Sequence, residues 1–189
     1  MRVAIFGGTF DPIHEAHLAV AATAAPQWRL DRVIFMPADH PPHKAGVTRA
    51  PYSDRVRMVE LATQYDPRFE VSRLEEGTER SYSVNTISQV REGLSPQDEL
   101  FFIIGADAFA DIRTWHRWKD AASMAMFLVV SRPGKQYDVP PNVRMERLDT
   151  LDLPVSSSEI RRALSAGERP AYVPERVLNY IYEHHLYGT

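Results

Sequence analysis

The sequence predicts an α/β fold built on a largely parallel sheet, and three observations predict it. Short apolar runs without alternation recur along the chain, the clearest being Leu100-Phe101-Phe102-Ile103-Ile104; a strand covered by helices on both faces reads this way. Between those runs lie segments whose apolar residues fall at helical spacing. The connections are short and rich in Gly, Pro and Ser, and strands alternating with helices in this manner imply parallel pairing.

The bulk properties fit one domain spanning residues 1–189, a length sufficient for a substantial core. Apolar residues at 44% and charged residues at 25% are ordinary for a globular chain. The net charge of −3, from 22 basic and 25 acidic side chains, gives no global basic field. Neither a nucleic acid nor an acidic membrane is therefore expected as a partner, and any phosphate chemistry must be local. Without Cys there are no disulfides, thiolate metal sites or cysteine nucleophiles. The longest apolar runs, such as 125–130, are too short to cross a bilayer, and Gly7-Gly8 cuts the first run too early for a signal peptide. A cytoplasmic protein is expected. The sequence is silent on oligomeric state and leaves a homo-oligomer open.

In order, Val3-Ala4-Ile5-Phe6 is a strand ended by Gly7-Gly8, and a periodic segment begins after Pro12. Its helix is expected from Leu18 to about Ala25, with Pro26 and Trp28 marking a connection. Arg32 to Pro37 is a second strand, followed by the loop Ala38-Asp39-His40-Pro41-Pro42-His43-Lys44, whose prolines reduce the entropy lost on ordering. From Pro51 to Asp66, Val56, Val59, Leu61 and Ala62 recur at helical spacing. Phe69 to Ser72 is a short strand, and Ser81-Tyr82-Ser83-Val84-Asn85-Thr86 opens an amphipathic stretch through Val90 and Leu94. Leu100 to Ile104 is the central strand and runs into Gly105-Ala106-Asp107. A helical segment then carries Trp115 and Trp118 one turn apart, a spacing that usually marks core. Met126 to Val130 is a fifth strand ending at Ser131-Arg132-Pro133-Gly134, and a sixth lies around Val143 to Leu148. Ser156-Ser157-Ser158-Glu159-Ile160-Arg161-Arg162 starts a helix, and Val173 to His185 is an amphipathic helix with Pro174 in its first turn.

The chemistry is concentrated in residues 7–17, Gly7-Gly8-Thr9-Phe10-Asp11-Pro12-Ile13-His14-Glu15-Ala16-His17. A strand, a tight turn and a helix start make an anion site, because the first helical N–H groups lack internal partners and the dipole is positive there. Gly7 and Gly8 let backbone approach a phosphate, and His14 and His17 project from one side of the helix start. The Gly7-Gly8 turn, the Pro41-Pro42 loop, Gly105 to Asp107 and Ser131-Arg132 all follow strands. They should converge beyond the strand C-termini, where parallel sheets bind ligands. Neither G-x-x-x-x-G-K-[ST] nor G-x-G-x-x-G occurs, which argues against a P-loop NTPase and takes from a dinucleotide-dependent dehydrogenase its main support. No H-E-x-x-H occurs, so His14, His17, His40 and His43 give no hydrolytic metal site, and no metal ligands are expected.

The run from Gly7 to His17 resembles the nucleotide-binding motif of the nucleotidylyltransferase superfamily. With Pro41-Pro42-His43-Lys44, Ser81-Tyr82-Ser83, Gly105-x-Asp107, Trp115, Ser131-Arg132-Pro133-Gly134 and Ser157-Ser158-x-Ile160-Arg161 in order, the chain is similar to the bacterial nicotinate mononucleotide adenylyltransferases over nearly its whole length. Two positions depart from that pattern: Ala16 replaces a Gly, and Ser83 replaces a Thr while keeping the hydroxyl. The resemblance implies a Rossmann-like nucleotidylyltransferase sheet with a small C-terminal helical part at about 156–189. It implies attack of the nicotinate mononucleotide 5′-phosphate on the α-phosphorus of ATP, giving deamido-NAD and pyrophosphate, with Mg²⁺ and without a covalent enzyme intermediate.

By the same resemblance, His14, His17, Lys44 and Arg161 carry the transfer. Gly7, Gly8, Thr9, Phe10, His17, Lys44, Gly105, Ser131, Arg132, Ser157, Ser158, Ile160 and Arg161 hold ATP. Ser83, Asp107, Trp115 and the N–H of His116 meet the mononucleotide, with Trp115 stacked on the pyridine ring. Three other readings stay in view: a nicotinamide mononucleotide enzyme, a pantetheine-phosphate type adenylyltransferase, and a nucleotide sensor without turnover. A sensor need not keep both histidines, Lys44 and Arg161. Acid and amide substrates differ in that a carboxylate takes donors only, whereas an amide also needs an acceptor.

Overall fold

The computed structural model describes residues 1–40, 48–131, 137–149 and 153–189. Strands β1 (Arg2–Gly8), β2 (Arg32–Pro37), β3 (Phe69–Val71), β4 (Glu99–Gly105), β5 (Met126–Ser131) and β6 (Met145–Asp149) are the six expected from the apolar runs. They form one sheet in the order β3-β2-β1-β4-β5-β6, with every pair parallel. β1 lies inside it, with Ile5 beside Ile34 of β2 and Phe102 of β4. The helices are α1 (Glu15–Gln27), α2 (Tyr52–Thr63), α3 (Ser83–Glu92), α4 (Ala106–Ala110), α5 (Trp118–Met124), α6 (Ser157–Ser165) and α7 (Glu175–Glu183).

Alternation along each strand divides the core into two layers. Ala4, Phe6, Val33, Phe35, Phe101 and Ile103 face one side, where Ala21 and Ala24 of α1, Val59 of α2, Ile160 of α6 and Ile181 of α7 cover them. Val3, Ile5, Ile34, Phe102 and Ile104 face the other, under Ile87 of α3, Phe109 of α4 and Ala121 of α5. Helices on both faces explain why the strands read as unbroken apolar runs. Among the described residues no helix is long and apolar enough to cross a membrane.

Two expectations are corrected. The first helix starts at Glu15 with His14 as its N-cap, and it runs through Pro26 to Gln27. Pro26 lies one residue before the helix end, and the Trp28 N–H still bonds the Ala24 carbonyl at 3.0 Å beyond it, so the last turn closes around the proline. Trp115 and Trp118 do not share a helix. A 3₁₀ turn over Ile112–Thr114 precedes Trp115, whose backbone is extended, and Arg117 at φ 49° reverses the chain before α5. Both indoles still pack against the same apolar cluster, so equal spacing arises from a kink rather than a helical turn.

Candidate active site

The turn after β1 is shaped by its own side chains. Phe10 has φ 47°, a conformation non-glycine residues seldom adopt, and Asp11 joins Pro12 through a cis peptide bond. The Phe10 ring is buried and folds back on the backbone at Gly8, where a Cβ would lie 2.9 Å from it. Gly8 is thus required by a phenyl ring, in addition to any ligand it admits.

Beyond that ring lie the imidazoles. Phe10 meets His17 edge-on at 5.1 Å, and His14 and His17 are tilted against each other at 3.8 Å between centroids. Burial pushes the His14 pKa down to about 4, so its ring is neutral near pH 7, and its Nδ1 has no hydrogen-bond partner among the described residues. The spacing of three residues brings the rings together because one is the N-cap and the other lies in the first turn.

A buried polar cluster holds the turn from beneath. Arg55, 1% exposed, donates from Nη1 to the carbonyls of Thr9 and Ala38, both at 2.7 Å, and from Nε to that of Ala50 at 3.3 Å. Burial lowers its pKa while Asp11 and Asp39 oppose that shift. Asp11, also buried, accepts the N–H groups of Arg49 and Ala50 and the hydroxyl of Tyr187. Its carbonyl accepts Arg161 Nη1 at 2.7 Å, and Ser157 Oγ donates to the Pro12 carbonyl at 2.9 Å. The Ser-Arg helix start therefore docks on the same turn that carries the imidazoles.

On its other side the turn borders a cavity of about 680 Å³, lined by Gly7, Gly8, Thr9, Ala38, Ser81–Ser83, Gly105, Asp107, Trp115 and His116 among others. Of the strand ends expected to converge, the Gly7-Gly8 turn and Gly105 with Asp107 line this cavity, Ser131 does not, and Pro41-Pro42 and Arg132 lie outside the described residues. Ser81 Oγ accepts the N–H groups of Asp39 and His40, tying the exit of β2 to this wall, and Tyr82 stacks on His116 at 4.6 Å. Trp115 stands edge-on to Phe102 at 6.1 Å. Glu75 lies in the wall, and burial pushes its carboxyl pKa up despite a 2.6 Å bond from Thr86.

The remaining candidates separate. Ser83 opens α3, Gly105 caps α4 and Asp107 follows in its first turn. Ser158 is exposed and its Oγ accepts Arg161 Nη2 at 3.2 Å. Ser131 is buried, with its hydroxyl donated to Tyr137. Ile160 turns into the core and gives its N–H to the Ser156 carbonyl, so both its side chain and its donor serve α6. Pro41, Pro42, His43 and Lys44, and Arg132, Pro133 and Gly134, lie outside the described residues. Sequence reasoning missed Arg55, Asp11, Glu75 and Tyr187 as site-forming groups. For Arg55 a signal existed: it heads the stripe Arg55, Met58, Val59, Ala62 on the buried face of α2.

A parallel sheet with a Gly-Gly turn and a helix N-terminus at the end of β1 belongs to the cytidylyltransferase-like class, whose family model matches residues 5–163. A Solibacter usitatus protein named "Probable nicotinate-nucleotide adenylyltransferase" is 63% identical over 188 residues, covering 100% of both chains. A Thermus thermophilus protein of the same name is 45% identical over 189 residues, covering 99% of this chain and 100% of its own. The chain belongs to this nicotinate-nucleotide adenylyltransferase family. Among solved structures, the Plasmodium falciparum nicotinic acid mononucleotide adenylyltransferase complexed with NaAD shares the fold, with a TM-score of 0.75 at 18% identity over 98% of this chain and 97% of that one. The same enzyme complexed with APC gives a TM-score of 0.77 at 19% identity, over 98% and 96%.

Proposed function

We propose that this chain transfers the adenylyl group of ATP to nicotinate mononucleotide, releasing deamido-NAD and pyrophosphate. The observation that carries the reading is the cavity in which the Gly7–Thr9 backbone meets Trp115, Ser83 and Asp107. The identity with the Solibacter usitatus relative over the full chain supports it. In this reading the 189 residues act as one unit, with 156–189 as the helical part that closes on the turn.

A phosphate oxygen of the mononucleotide forms a bond to the α-phosphorus, and the bond from that phosphorus to the α,β-bridging oxygen breaks, the electron pair leaving with pyrophosphate. Such transfer is promoted by alignment and by donors aimed at the charge that builds on the phosphates. His17 donates from Nε2 to the triphosphate, and neutral His14 packs behind it as a second donor. Gly7 to Phe10 and Gly105 contact ATP through backbone; by the family pattern Lys44, Ser157, Ser158 and Arg161 would hold the triphosphate, and Ser131 and Arg132 would belong to the ATP side. In a carry-over from the family pattern, Trp115 stacks on the pyridine ring, Ser83 and the His116 N–H meet its carboxylate, and Asp107 bonds a ribose hydroxyl.

Among the described residues no group of three or more His, Asp or Glu is placed to hold a metal ion. Mg²⁺, an ion commonly bound with substrate phosphates, would supply neutralisation of the charge on the leaving pyrophosphate. The test supplies purified protein, ATP and Mg²⁺ with either mononucleotide. Pyrophosphate should appear faster with the nicotinate form; equal rates would end the substrate assignment, and silence with both would favour a sensor.

A further inference from the structure

We propose that Tyr187 is a positioning residue for the ATP side of the site, acting through the Asp11 carboxylate on the turn after β1. The proposal rests on the adenylyltransferase reading above. A turn containing Phe10 at φ 47° persists only where its surroundings hold it in place. Asp11, the next residue, is one of the points at which it is held, beside the Thr9 and Pro12 carbonyls. The Asp11 carboxylate is 3% exposed and takes three donors: Arg49 N–H at 2.7 Å, Ala50 N–H at 3.1 Å and the Tyr187 hydroxyl at 2.8 Å. Two of these are backbone groups of consecutive residues just ahead of α2. The hydroxyl is the side-chain donor among them, and it arrives from 176 residues away.

Tyr187 is itself held in a backbone conformation that costs free energy, φ 61° and ψ 20° within the 3₁₀ turn Leu186–Gly188. Its ring packs on the cluster that contains Phe10 and Ile13. Burial and the neighbouring Asp11 carboxylate push the phenol pKa up, so the hydroxyl keeps its proton and donates at any physiological pH. Tyr187 does not line the cavity. Its influence passes along the backbone instead: Asp11 sets Phe10, and the Phe10 ring lies against both Gly8 and His17. Loss of the hydroxyl would leave a buried carboxylate one donor short and let the turn reorient under the triphosphate.

Tyr187→Phe removes one oxygen and leaves the ring packed. ATP binding without mononucleotide is measured by calorimetry, and KM for each substrate is measured at a temperature where the variant is fully folded. ATP affinity should fall, by at most about tenfold, because binding must then reset a turn that one hydrogen bond to a charged group no longer holds, with KM for ATP rising in step and KM for nicotinate mononucleotide within about twofold. Hydrogen exchange adds a readout independent of turnover: residues 7–14 should exchange faster in the variant. Unchanged ATP affinity, equal rises in both KM values, or faster exchange confined to 184–189 would each overturn the proposal and leave the functional reading standing. A wild-type protein that does not bind ATP would overturn both.

Discussion

Nδ1 of His17 accepts the backbone N–H of His14 at 3.2 Å, and this one bond decides what the second imidazole can do. A ring nitrogen that accepts carries no proton, so the proton of neutral His17 resides on Nε2. The helix start thereby orients its own donor. The tilted contact of 3.8 Å with His14 restricts the ring further.

His17→Ala should lower turnover by roughly 10²–10³, the usual effect of removing one preorganised donor. Glutamine, whose amide nitrogen can approximate Nε2, should recover part of it. Pyrophosphate release under saturating substrates is the measurement. An alanine variant within tenfold of wild type would remove His17 from the transfer.

Burial holds His14 neutral, with its pKa down to about 4 from 6.5, and this links stability to pH. Below pH 6.5 the unfolded chain takes up a proton at this side chain that the folded chain does not, so stability falls as pH drops toward 4. The shift corresponds to about 3 kcal/mol at full expression. Urea unfolding at pH 7 and pH 4.5 should show wild type losing more stability than His14→Asn. Equal losses would mean that His14 is solvated in the folded state.

Trp115→Ala should weaken nicotinate mononucleotide by about 1–3 kcal/mol, the range for a base stacked on an aromatic side chain, and ATP by much less. Phenylalanine should restore most of the difference. Calorimetric titration with each nucleotide alone checks this, and equal weakening of both would assign Trp115 to packing against Phe102.

Arg55→Met takes the charged donor from the part-buried carbonyls of Thr9 and Ala38, hydrogen bonds of about 1.5–3 kcal/mol each. Denaturant unfolding should show a loss of about 3 kcal/mol or more. Lysine, with a single ammonium in place of the guanidinium fork, should recover only a fraction. A methionine variant as stable as wild type would show that the two loops hold their positions without it.

The sheet was legible in the sequence because each strand is a continuous apolar run of its own, and β2 was read to the residue as Arg32–Pro37. The Gly7-Gly8 turn and the helix behind it were legible for the same reason, since glycine sterics and helix-end donors act within a few residues. The start of α1 was harder to place. His14 gives no apolar signal, and its role as N-cap depends on the turn that precedes it. The Trp115 and Trp118 spacing misled because a 3₁₀ turn and a kink at Arg117 bring both rings to one cluster, as a helix would.

By itself the sequence determined the six strands, their parallel pairing and the Gly-Gly turn ahead of the first helix, all consequences of short windows of residues. Only the tertiary structure decided what holds that place rigid. Arg161 reaches the Asp11 carbonyl across 150 residues and Tyr187 reaches its carboxylate across 176; the Ser-Ser-x-Ile-Arg string marks Arg161 but not this contact, and no local pattern marks Tyr187. The physical reason is that a buried carboxylate takes whichever donors packing brings to it, and packing is settled by the whole chain at once.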